Sequence, residues 1–134
     1  TNADIIQYRL TQMPKWQEKR NEIAAIYTKE LKYDVICQNV PVALEHNFHK
    51  FVIRFEDKEQ RKRVKDGLKS IGLNASIHYE KPLSQNSLYI KEYHRKDNCT
   101  NSQIASDTVM SLPIHAWLTD EEIDKICNTI LMLS

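Results

Sequence analysis

Glycine is nearly missing from this chain: Gly67 and Gly72 are the two in 134 residues. A loop that cradles a phosphate needs several positions without side chains, so that backbone amides can close on the anion. Two glycines do not assemble one. Cysteine is almost as scarce, and Cys37, Cys99 and Cys127 are odd in number and far apart, which excludes a disulfide framework or a paired metal spacing and leaves free thiols. No apolar run approaches the ~18 residues that a membrane helix requires. "TNADIIQYRL" lacks the charged start and apolar core of a signal peptide, so the expectation is a soluble, cytoplasmic protein. "NAS" at 74 and "NCT" at 98 then carry no weight as glycosylation acceptors. Neither charge sign is in excess: 19 basic residues face 18 acidic ones, for a net charge of +1. Such a balance supplies no general field for nucleic acid or an anionic membrane, and neither is expected as a partner. Any site for a charged ligand must be local. The length fits one domain, 1–134, and is short for a cofactor domain plus a substrate domain.

What is present reads as helices around a short sheet. Residues 3–32 carry a helical stripe of Trp16, Ile23, Tyr27 and Leu31, with Pro14 as an interruption. "NFHKFVIRF" (47–55) alternates Phe51, Ile53 and Phe55 against Val52 and Arg54, as a strand with one buried face does. The next segment opens with Asp57 as N-cap and Gln60 as its partner, carries Val64, Leu68 and Ile71 as an apolar stripe, and closes at Gly72. Its cluster of Arg61, Lys62, Arg63, Lys65 and Lys69 is interleaved with acids and lacks aromatic platforms, which points to a solvated face. "LNASIHY" (73–79) alternates Leu73, Ala75, Ile77 and Tyr79 against Asn74, Ser76 and His78. Strand, helix and strand within about thirty residues predict two strands that lie parallel in one sheet, joined by a right-handed crossover. Residues 80–102 read as polar and irregular, "QIASDTV" as a short helix, "MSLPI" as an extended piece, and "TDEEIDKICNTILML" as a helix with a Thr119–Glu122 capping box. The fold class is α+β, in two layers, a short sheet flanked by helices.

Few residues form a pattern that carries chemistry. His46 and His49 straddle the start of a strand and have no ligand-like spacing with Cys37, so no metal is expected. Residues 78–115 gather His78, Tyr79, Lys81, Tyr89, Lys91, Tyr93, His94 and Arg95, a mixture suited to an anionic, aromatic ligand such as a nucleotide, and equally to an ordinary solvated loop.

Several motifs in order match a known pattern. "LTQM" followed by "KRNEIAAIYTKEL", "HKFVIRF", "GLNASIHYEKPL" with Tyr89 downstream, and "SLPIHAWLTDEEIDKI" together resemble the C-terminal portion of the DegT/DnrJ/StrS sugar aminotransferases. The resemblance spans nearly the whole chain. "HY-x-x-P" alone is a weak signal, and the set ending in "SLPIHAWLTDEEI" a fairly specific one.

The resemblance implies the small C-terminal domain of a fold type I enzyme that uses pyridoxal phosphate. Such enzymes move an amino group, commonly from glutamate, onto a nucleotide-linked keto sugar for polysaccharide or glycoside synthesis, and act as homodimers. The Schiff-base lysine, the acid facing the pyridine nitrogen and the phosphate site lie upstream of the matched region in that family. No catalytic residue and no bound cofactor are therefore expected on this chain alone, which should close over the active site and not transaminate by itself. Carried over by position, His78 and Tyr79 match the family's "HY", His49 the histidine opening the "H-x-F/Y-V-I" strand, and Tyr89 the tyrosine of the following loop. These four are the expected substrate-binding residues, with His78 facing the ligand and Tyr79 packing inward. Ser84 stands where the family often has histidine, which leaves the sugar open. The competing reading is a free-standing α+β ligand-binding or regulatory module.

Overall fold

Thr1 opens the first helix, α1 (Asn2–Leu31): its side chain accepts the Asp4 amide while the Asp4 carboxylate reaches back to the cap. The computed structural model describes residues 1–94 and 98–134, and in it α1 runs through Pro14 without a break. The expected interruption is absent because the hydrogen bond a proline forfeits here is to the Leu10 carbonyl, on a turn exposed to water. Only the second half of α1 is anchored. Ile23, Tyr27 and Leu31, each four residues apart, are fully buried, and the Tyr27 hydroxyl donates to the Pro113 carbonyl at 2.8 Å.

Strands β1 (Ile36–Cys37), β2 (Phe51–Arg54) and β3 (Val109–Leu112) form an antiparallel sheet in the order β1-β2-β3. The register sets Phe51 opposite Leu112 and Ile53 opposite Met110, all four buried, and this face meets the helices. Val52 opposite Ser111 and Arg54 opposite Val109 occupy the other face. β1 is too short to show alternation and was not legible in sequence.

The expected second strand is reduced to a single bridge. Of residues 73–79 only Ser76 pairs, in an isolated antiparallel bridge with Ser111 of β3. Two antiparallel steps make this segment run in the direction of β2, but β3 takes the place between them because Met110 and Leu112 supply apolar partners for Ile53 and Phe51. The phase of the segment survives: Ala75 is buried, Ile77 half-buried, Ser76 exposed.

Helix α2 (Lys58–Ser70) begins at Asp57, whose carboxylate accepts the Gln60 amide at 2.7 Å, while Gln60 reaches past the cap to accept the Glu56 amide at 2.8 Å. It ends with Gly72 at φ +80°, the Gly72 amide bonding Lys69 and the Leu73 amide bonding Leu68, a double closure that requires the left-handed conformation. Val64 and Leu68 are buried; Ile71, at the C-cap, is exposed and leaves the expected stripe. Arg61 corrects the solvated-face reading, being buried with its guanidinium donating to the Ser106 carbonyl. Lys62 pairs with Asp66 and Lys65 with Glu80, so much of the remaining basic charge is compensated.

The segment read as irregular contains a 3-10 turn (Leu83–Gln85), helix α3 (Ser87–Tyr93) capped by Asn86, and the start of α4 (Thr100–Thr108). Arg95 lies outside the described residues. Helix α5 (Asp120–Leu133) carries the expected Thr119–Glu122 capping box and buries Ile123, Ile126, Cys127 and Ile130 against α1 and α2. These side chains join Phe51, Ile53, Val64, Leu68, Met110 and Leu112 in one core cluster. Full burial of such a residue is worth about 1.5–3 kcal/mol. The architecture is α+β, with helices packed on one face of the sheet.

Candidate functional site

The sheet face turned away from the core is where His78 arrives. Ser76 sits opposite Ser111, and a residue two positions further on projects to the same side. His78 does so: its ring is half-buried, with Nδ1 3.0 Å from Ser111 Oγ. By strict alternation Tyr79 would follow Ala75 and Ile77 inward. Instead the chain turns after His78, the His78–Tyr79 peptide is cis, and Tyr79 is 72 % exposed. The inward packing expected of Tyr79 is thus corrected. Its ring stands edge-on to His78 at 5.6 Å.

Lys50 completes the corner. Its ammonium lies 6.0 Å from the Tyr79 ring centroid, at the outer limit of a cation–π contact. Sequence reasoning missed this lysine, although a signal existed: Lys50 shares the period-two phase of Val52, on the face of Ser111, whereas His49 shares that of Phe51. His49 is exposed, and its backbone amide donates to Asn47 Oδ1 at 3.0 Å. Tyr89 stands on α3, half-buried, with its ring 5.0 Å from that of Tyr93. The structure therefore brings His78, Tyr79 and Lys50 together and places His49 and Tyr89 on neighbouring or separate elements. Ser84 is buried on the 3-10 turn.

A neutral or charged imidazole, a phenol and an ammonium on one corner can donate to phosphate oxygens and exchange hydrogen bonds with sugar hydroxyls. Glu80, the nearest carboxylate in sequence, is held by Lys65 at 3.7 Å, which offsets a charge that would repel an anion. His46 belongs to a different task. Its ring nitrogens meet Gln38 Nε2 at 3.0 Å and the Phe48 amide at 3.0 Å, and Gln38 in turn accepts the Val52 amide, so the imidazole braces the loop entering β2.

Pyridoxal phosphate chemistry needs a lysine able to lose its proton, an acid for the pyridine nitrogen and a phosphate cradle. Among the described residues no carboxylate is buried. The lysines with perturbed titration, Lys19, Lys62 and Lys125, are pushed upward by hydrogen bonds to Asp120, Asp66 and Glu121, the reverse of what a Schiff base requires. These described residues do not fit a complete cofactor site.

The family model for the DegT/DnrJ/EryC1/StrS aminotransferases matches residues 1–131. A dTDP-3-amino-3,6-dideoxy-alpha-D-galactopyranose transaminase of Aneurinibacillus thermoaerophilus is 27 % identical over 131 residues, which cover 96 % of this chain and 34 % of that protein. A UDP-N-acetyl-3-dehydro-alpha-D-glucosamine 3-aminotransferase of Acidithiobacillus ferrooxidans is 25 % identical over 96 % of this chain and 34 % of its own length. Among solved structures, a DegT DnrJ EryC1 StrS aminotransferase from Brucella abortus superposes with a TM-score of 0.80 at 25 % identity, covering 94 % of this chain and 33 % of that one. The aminotransferase TlmJ from Streptoalloteichus hindustanus shares the fold with a TM-score of 0.82 at 20 % identity, over 92 % of this chain and 33 % of its own. The chain spans about one third of the length of the relatives it matches. With nearly all of its residues inside the matched region, the chain belongs to the DegT/DnrJ/EryC1/StrS aminotransferase family.

Proposed function

We propose that residues 1–134 form, as one domain, the small C-terminal part of a pyridoxal-phosphate-dependent aminotransferase acting on nucleotide-linked keto sugars. The observation that carries this reading is the match of 1–131 to the family at one third of the relatives' length, with His78, Tyr79 and Lys50 gathered on the sheet face away from the core. In this reading the cofactor, its lysine and the glutamate site belong to the remaining two thirds of the enzyme, which acts in the cytoplasm as a homodimer. The small domain contributes a lid whose outer sheet face meets the nucleotide sugar. His78 and Tyr79 bind hydroxyls or phosphate, Lys50 adds a positive charge, and His49 and Tyr89 flank the same ligand from their own elements.

The test is a pair of assays with pyridoxal phosphate, glutamate and a nucleotide-linked keto sugar. The isolated chain is expected to give no Schiff-base absorbance and no amino sugar, and an enzyme comprising both parts to give both. Turnover by the isolated chain, with a lysine adduct trapped by borohydride, would overturn the division of labour.

A further inference from the structure

We propose that Ser111 is a positioning residue that holds His78 in the tautomer with its proton on Nε2, so that the histidine faces its ligand as a hydrogen-bond donor. The proposal deepens the reading of the site given above and rests on it only for the identity of the ligand.

The backbone of Ser111 is already committed. Its amide donates to the Ser76 carbonyl at 2.7 Å and its carbonyl accepts the Ser76 amide at 3.1 Å, so the hydroxyl is not needed by the ladder. The residue is 6 % exposed, which puts water out of reach of most of it. A buried hydroxyl left without an acceptor costs free energy, and the neighbour supplied to it among the described residues is Nδ1 of His78 at 3.0 Å. An imidazole nitrogen that accepts a hydroxyl proton must itself be bare, and a neutral ring then carries its proton on the other nitrogen. The alternative, Nδ1–H donating to the Ser111 oxygen, leaves the hydroxyl proton without an acceptor among the described residues. Satisfying both groups therefore selects Nε2–H.

The consequence is a specificity statement. A donor at Nε2 complements an acceptor oxygen, as on a phosphate or a sugar hydroxyl, and discriminates against a ligand that offers only a proton there. The edge-on Tyr79 ring at 5.6 Å flanks the same imidazole, so its plane is bounded on that side as well.

Nitrogen NMR of the imidazole in the 134-residue chain, at a pH of about 8 where a free imidazole is neutral, reads the tautomer directly. Wild type is expected to show His78 with its proton on Nε2 and no detectable Nδ1–H form. Ser111→Ala should let the Nδ1–H form appear with backbone amide shifts otherwise retained. Because alanine could also loosen the strand, the isosteric pair Ser111→Thr and Ser111→Val isolates the hydroxyl: threonine should restore the single tautomer and valine should not. An Nδ1–H form in wild type, or the same tautomer ratio in the threonine and valine variants, would overturn the proposal. Its failure is distinct from failure of the functional reading. A His78→Ala enzyme with unchanged sugar-nucleotide KM would remove the histidine from the ligand site and leave the Ser111 pairing as measured.

Discussion

At the residue scale the three thiols occupy three environments, and their reactivity should follow. Cys99 is exposed; burial raises the Cys37 thiol; burial, reinforced by the charges of Glu30 and Asp124, pushes Cys127 up to about 11. Since the thiolate is the nucleophile, a maleimide or disulfide reagent at neutral pH should label Cys99 first, Cys37 more slowly and Cys127 only on unfolding. Comparable rates for Cys99 and Cys127, followed by mass spectrometry, would contradict the packing of α5. The core makes a second residue-level prediction. Ile53→Ala or Ile126→Ala should cost about 2–5 kcal/mol in a urea titration, because both side chains are fully buried. Ile77→Ala should cost clearly less, since Ile77 is half-buried beside Lys58, Lys65 and Glu80 and lies outside the core cluster. An equal loss at Ile77 would restore it to the core that alternation alone predicted. The same comparison shows what sequence could see: Phe51, Ile53 and His78 obey their period, whereas Tyr79 departs from it because the chain turns there, and a single sequence gives no sign of that turn.

At the element scale, helix ends were the most legible features because capping is local chemistry. Thr119 and Glu122, Asp57 with the Gln60 amide, and Gly72 at φ +80° all stand where spacing placed them. Thr119→Ala should cost about 1 kcal/mol, the typical worth of an N-cap, and Gly72→Ala about 1 kcal/mol for the left-handed conformation. Either variant with an unshifted midpoint would refute its cap. The Glu122 carboxyl is held below the ordinary carboxylate range, first by the Thr119 amide and then by its hydroxyl. A carboxyl lowered in the folded state contributes stability that is complete above its unfolded value and fades as pH falls through its folded one. The stability difference between wild type and Glu122→Ala should therefore be present near neutrality and shrink below about pH 4, as read by circular dichroism during denaturation. A difference independent of pH would argue against that capping box. What local chemistry could not show is who pairs with whom. The two residues of β1 carry no pattern, and β3 wins the place beside β2 through contacts made about sixty residues away in sequence, so the strand–helix–strand spacing gave the direction of the second segment but neither its neighbour nor its short extent. The solvated reading of α2 failed at Arg61 for the same reason, since its acceptor, Ser106, belongs to a distant helix.

At the scale of the whole molecule, one sheet face is filled by helices and the other carries His78, Tyr79 and Lys50. Family membership was legible through ordered motifs, above all "SLPIHAWLTDEEIDKI", while the corner itself was legible only in part: His78 and Tyr79 came from the "HY" pair, Lys50 from neither motif nor composition. No helix among the described residues is long and apolar enough to cross a membrane. The central claim, that this outer face meets the nucleotide sugar, turns on His78. In an enzyme comprising both parts, His78→Ala should weaken nucleotide-sugar binding by about 1–3 kcal/mol, the range for a hydrogen bond involving charge. The half-reaction with glutamate should stay close to wild type, and the thermal midpoint should fall only by the loss of the single hydrogen bond between His78 and Ser111. The deciding measurement is therefore the KM for the nucleotide sugar, taken on His78→Ala together with its melting temperature: a raised KM, with a stability loss no larger than that of one hydrogen bond to Ser111, is the predicted result, and an unchanged KM would contradict the account.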